Sequence, residues 1–176
     1  MRILALVFLF ALPTFAQVKD PFALIFGLDT ITEKKAVWST LTRPEQIEVF
    51  RQNFAWGATH LDLDTEQLRF LARLSGRLGT ATLPELNEFE AEAIELFPEN
   101  GDVLFGSIGP YTPCSVFVEK MPITLNLQND CPCSVGSSFN MQCDGECTTA
   151  GGRCTVKGSG CGFAWMYSCN GFCLVN

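Results

Sequence analysis

The chain has 176 residues, is 47% hydrophobic and 18% charged, and carries a net charge of -7 with nine cysteines. That length holds one medium domain, or a modest domain and a small one. The acidic balance repels phosphate backbones and argues against a nucleic-acid partner. Both charge and cysteine are unevenly placed: nearly all of the negative excess lies in residues 17–113, whereas every cysteine follows residue 113.

The N-terminus reads Met1-Arg2, an apolar run over 3–12, then Pro13-Thr14-Phe15-Ala16. One positive charge, a short apolar stretch and a small residue at the cut predict a signal peptide over 1–16, with a mature start at Gln17. The run is too short for a permanent membrane anchor. Export places the cysteines in oxidising surroundings.

Residues 17–31 contain apolar side chains without periodicity and are expected to form an arm lying on the domain that follows. A short helix is expected over 32–41. The second helix opens at Thr42-Arg43-Pro44-Glu45, a capping box with Pro near the first turn. Ile47, Phe50 and Phe54 then share a face, and Gly57 is expected to end it. The third helix follows Asp64-Thr65, with Leu68, Leu71, Ala72, Ser75 and Leu78 as its buried stripe and Gly79 as its stop. The fourth repeats the start signal as Thr82-Leu83-Pro84-Glu85, buries Leu86, Phe89, Ala93, Leu96 and Phe97, and ends at Pro98. Glu85, Glu88, Glu92 and Glu95 are read as its solvated side. These amphipathic faces predict a small bundle over 32–98 that folds without the rest of the chain.

From Gly101 the pattern changes. Residues 115–119 and 123–127 read as strands, the latter alternating apolar with polar side chains. Turn signals then punctuate the chain, including Asp144-Gly145 and Asn170-Gly171. The expected fold class is a small α-helical bundle followed by a disulfide-rich, mostly β and loop module. The expected divisions are the signal at 1–16, an acidic leader-like helical region at 17–100, a strand-containing connector at 101–128 and the cysteine-rich module at 129–176.

Cys131, Cys133, Cys143, Cys147, Cys154, Cys161, Cys169 and Cys173 fall within one short stretch, a density typical of disulfide scaffolds. Four bridges among them are expected. Cys131 and Cys133 are too close to pair with each other comfortably, so they take different partners. Cys161, Phe163, Trp165, Tyr167 and Cys169 alternate, and in a strand they share one face. In that strand Cys161 and Cys169 stand about 26 Å apart and do not pair. Zinc is disfavoured, because the module has neither paired CxxC knuckles nor histidine. The ninth cysteine, Cys114, has two readings: a free thiol in an uncut protein, or a residue left behind when a cut between Cys114 and Cys131 releases an even-numbered module.

The aromatic stripe Phe163, Trp165 and Tyr167 is a candidate contact with a target membrane, where Trp and Tyr favour the interface. The same residues would also serve as the module's only core. His60 reads as a surface or capping residue. No GxSxG, HExxH or phosphate-binding loop appears, so no catalytic residue, cofactor or metal is expected and the chain reads as a non-enzyme.

The run Asn129-Asp130-Cys131-Pro132-Cys133-Ser134, the segment Gly160-Cys161-Gly162-Phe163-Ala164-Trp165-Met166-Tyr167 and the tripeptide Cys169-Asn170-Gly171 resemble the fulvocin C-related bacteriocin precursors. The resemblance covers the last part of the chain, about residues 129–176. It implies a layout of signal, helical leader and cysteine-rich peptide, and an antibacterial peptide acting at target bacterial membranes or an envelope receptor after an unidentified protease cuts. The alternative is an uncut secreted binding module.

Overall fold

The computed structural model describes residues 20–110, 130–140, 146–152 and 154–174. The expected signal peptide, the strands expected at 115–119 and 123–127, the Asp144-Gly145 turn, Cys114 and Cys143 lie outside the described residues.

The arm expected over 17–31 is helical at α1 (Pro21–Phe26). Asp20 caps it, its carboxylate accepting from the Ala23 N–H at 3.2 Å, and Pro21 fills a position where no backbone donor is needed. Phe26 then packs edge-on against Trp56, with ring centroids 5.2 Å apart. Helix α2 (Ile31–Trp38) starts one residue before the expected position and stops three residues earlier. Its box is Thr30 with Glu33.

Helix α3 (Arg43–His60) begins at the Thr42–Glu45 box but runs through Gly57. A Cβ at Gly57 would lie 2.3 Å from Leu104 Cδ2, so this glycine serves close packing and not termination. Helix α4 (Thr65–Arg77) is capped by the Asp64 carboxylate, which accepts from the Glu66 and Gln67 N–H groups. Its buried stripe is Phe70, Leu71, Leu74 and Leu78, while Leu68 and Ala72 face outward. The sequence offered two overlapping apolar diagonals, and the one carrying the Phe70 ring takes the core. Helix α5 (Leu83–Leu96) opens at Thr82 and Glu85 and buries Leu86, Glu90 and Ala93.

After α5 the chain makes a π-helical turn, Asp102–Gly106, that drives Leu104 and Phe105 inward. Residues 101–110, expected to be part of a connector, thus belong to the core. Phe105 is its hub. Its ring meets Phe54, Phe70 and Phe97 of the helical region at 5.7, 5.9 and 5.1 Å, and Phe139 and Phe163 of the cysteine-rich region at 5.6 and 4.9 Å. The core of 32–98 is therefore not closed by its own helices. It is closed by residues from beyond 100.

The C-terminal region forms two antiparallel ladders, as its composition implied. Strand β1 (Glu146–Thr149) pairs with β4 (Gly171–Leu174), and β2 (Lys157–Cys161) pairs with β3 (Tyr167–Cys169). Disulfides join Cys131 to Cys154, Cys133 to Cys147 and Cys161 to Cys169, and Cys173 is disulfide-bonded as well. Apart from what it shares with the helices, the described part of this region packs one small cluster, Cys131, Ala150, Cys161 and Cys169, with Cys154 against them. So small a core leaves stability to the crosslinks, at about 2–4 kcal/mol each. Among the described residues no helix is long and apolar enough to cross a membrane.

Candidate functional site

The expected straight strand from Cys161 to Cys169 does not exist. The chain leaves β2 at Cys161, turns through a 3-10 turn at Phe163–Trp165 and returns as β3. Cys161 and Cys169, expected to be far apart, are bonded with Cα atoms 5.1 Å apart. The reversal depends on left-handed backbone. Gly162 has φ +67°, and Ala164 and Trp165 follow at +49° and +52°. Glycine meets that requirement without steric cost, whereas Ala and Trp pay about 1–2 kcal/mol each. Surrounding contacts must hold them there.

Those contacts come from the helical region. The Trp165 indole N–H donates to the Gly106 carbonyl at 2.9 Å. Its ring meets Trp38 and Phe50 edge-on at 5.3 and 5.8 Å, arrangements that aromatic quadrupoles favour. The Lys35 ammonium lies 5.5 Å from the Trp165 ring centroid. Phe163 sits on Phe105 and is fully buried. The Tyr167 hydroxyl donates to Asn87 Oδ1 at 2.7 Å. Burial, with the Glu90 carboxylate beside it, pushes the Tyr167 phenol above its ordinary range, so it remains a proton donor.

Phe163, Trp165 and Tyr167 are 0, 1 and 4% exposed, so in the uncut chain they face the protein interior. They are core, but a core shared with the helices and not the module's own. The physical reason is the turn at 162–166: it gathers side chains that a strand would have spread along one face.

Glu90 is the residue that sequence reading missed. It is 5% exposed on α5 and accepts from the Ser137 hydroxyl at 2.7 Å and from the Ser138 N–H. Ser137 Oγ in turn accepts from the Phe163 N–H at 2.9 Å. A carboxylate from the helices thereby fixes the backbone that introduces the aromatic loop. Its position two residues from Glu88 and Glu92 gave no sign of this. Those glutamates lie outward, and Glu85 and Glu92 form ion pairs with Arg77 and Arg73.

A second set of buried polar side chains holds residues 103–110. Asn53 donates to the carbonyls of Val103, Leu104 and Ser107 and accepts from the Gly109 N–H at 2.8 Å. Lys34, with no exposed surface, donates to the carbonyls of Ile108 and Pro110. Burial lowers its pKa to about 8, partly offset by Asp29.

Between α2 and β2 lies a cleft of about 700 Å³, whose walls include Lys35, Trp38, Gln46, Lys157 and Cys161. His60 is exposed at the end of α3, stacked on Trp56. Among the described residues no cluster of His, Cys, Asp and Glu is arranged to hold a metal ion. No known family matches the chain, and neither does any curated protein or solved structure.

Proposed function

We propose that the chain is an exported, bacteriocin-like precursor whose helical region masks the aromatic loop of its disulfide module. The observation that carries this reading is the cover over Phe163, Trp165 and Tyr167. These are amphipathic and apolar rings suited to a bilayer interface, and the uncut chain keeps them from it. The module has little net charge to draw it to anionic lipid, so ring insertion is the contact open to it. The resemblance of residues 129–176 to the fulvocin C-related precursors supports the same reading.

The test is to cut the folded chain between residues 111 and 129, part the pieces in denaturant, and dilute the oxidised module into growth-inhibition and vesicle dye-release assays. The expected result is activity from the parted module and little from the intact chain. A parted module with its disulfides intact that neither inhibits any strain of a broad panel nor releases dye overturns the reading.

One observation favours a second reading, an uncut secreted binding unit: the continuity of the core through Phe105, together with the cleft beside Lys35. Recovery of only full-length mature chain from culture medium would select it.

A further inference from the structure

We infer that residues 20–110 are a docking partner for the module in their own right, and that the module stays bound to them after the connecting residues 111–129 are cut. The cut product is a non-covalent two-piece complex. The proposal for what the module does gives this retention its purpose, but the retention itself rests on geometry alone.

None of the described contacts that join the two regions uses the connection. They include the Trp165 indole on the Gly106 carbonyl, the Tyr167 hydroxyl on Asn87, Glu90 on Ser137 and Ser138, Lys35 beside the Trp165 ring, and the stacking of Phe139 and Phe163 on Phe105 and of Trp165 on Trp38 and Phe50. Four rings, each able to bury about 150–250 Å², approach the roughly 800 Å² per partner of a standard stable interface. The hydrogen bonds are satisfied and sheltered, as they are at the centre of strong interfaces.

Each end of the connection is also anchored independently. On the helical side, Lys34 and Asn53 pin residues 103–110, including the segment that presents the Gly106 carbonyl. On the module side, the disulfides Cys131–Cys154 and Cys133–Cys147 and the Cys131 N–H bond to the Thr155 carbonyl fix the chain immediately after it. A cut therefore leaves both faces of the interface in shape. It leaves every described contact between the two regions in place and removes the tether's effective concentration.

The experiment uses the full oxidised chain with a specific protease site placed after Lys120. The folded protein is cut to completion, checked on a non-reducing denaturing gel, and run on size exclusion over a dilution series. The expected result is co-elution of the two pieces down to about 1 µM, a retention typical of a specific interface. Pieces that separate at 100-fold higher concentration overturn the inference, as does a disulfide joining them on the gel. Two variants sharpen it. Trp165→Phe keeps a ring but loses the indole donor, and should weaken retention about tenfold. Asn87→Ala changes an exposed α5 residue and should weaken it several-fold through Tyr167. Retention unchanged in both variants removes this face from the interface. Failure of the antibacterial proposal would show as an inactive parted module, with co-elution unaffected.

Discussion

In the helical region, four residues suffice to start a helix: Thr30 to Glu33, Thr42 to Glu45, Asp64 to Gln67, Thr82 to Glu85. Each box satisfies backbone donors that the first turn leaves open. Among the described residues of the module no segment specifies its own shape in that way. Its ladders are three to five residues long, its crosslinks join distant positions, and its largest side chains find a core only against the helices. One region is encoded locally and lacks a lid. The other is encoded by long-range bonds and is that lid. Between them they make one core, with Phe105 at the seam.

The largest effect should come from removing the lid's main side chain. Trp165→Ala should cost about 3–5 kcal/mol. Because the core is shared, the loss should appear in the helical circular-dichroism melt as well as in the near-ultraviolet signal of the module. A helical melt that does not move would divide the molecule back into two independent units.

Next is the polar seam. Ser137→Ala takes one donor from the buried Glu90 carboxylate, and should cost about 1–3 kcal/mol by chemical denaturation. Glu90→Gln in the same background should recover part of that loss, because a neutral acceptor needs less support. Equal losses in the single and double variants would mean that Glu90 does not depend on Ser137.

A pH series tests the helical side of the seam. The pKa of Lys34 falls from 10.5 to about 8 on folding, so between those values the unfolded chain binds more protons than the folded one. Stability from this group should therefore rise with pH across that window, by at most about 1.4 kcal/mol per pH unit. Above about pH 10 the raised Tyr167 works in the opposite sense, since the unfolded phenol loses its proton first. The measurement is the difference between wild type and Lys34→Met at each pH. A flat difference between pH 8 and 10 would contradict it.

The smallest effect tests local encoding. Thr82→Ala removes the N-cap of α5 and should cost about 1 kcal/mol, read as a lower melting temperature with the disulfide pattern unchanged. A changed pattern would show that the module's pairing depends on helix starts as well as on the shared core.

What the sequence made legible follows the same division. Caps and apolar spacing placed α3, α4 and α5, because those signals lie within a few residues of what they control. Phase was harder: on α4 the choice between Leu68 and Phe70 depended on which side chain the rest of the core could accept. Gly57 looked like a stop because closeness to Leu104, more than forty residues away, leaves no local trace. The bond between Cys161 and Cys169 was hidden by Ala164 and Trp165, neither of which advertises left-handed backbone. Glu90 and Lys34 were hidden among charged neighbours, since burial of a charge is decided by what packs over it. Those misses fall at the joint between the regions.

The donors at that joint reach mostly for main-chain oxygen. Trp165 takes the Gly106 carbonyl, Lys34 those of Ile108 and Pro110, and Asn53 those of Val103, Leu104 and Ser107. Every amino acid carries that oxygen. Of residues 103–110 only Val103 and Pro110 reach the surface, and over evolutionary time these two can drift while the attachment survives, provided the backbone keeps its path. Selection falls instead on the three donors and on the ring of Phe105. Among diverged descendants of this chain, those four positions should vary least, and a module from one descendant should still fit the helices of another.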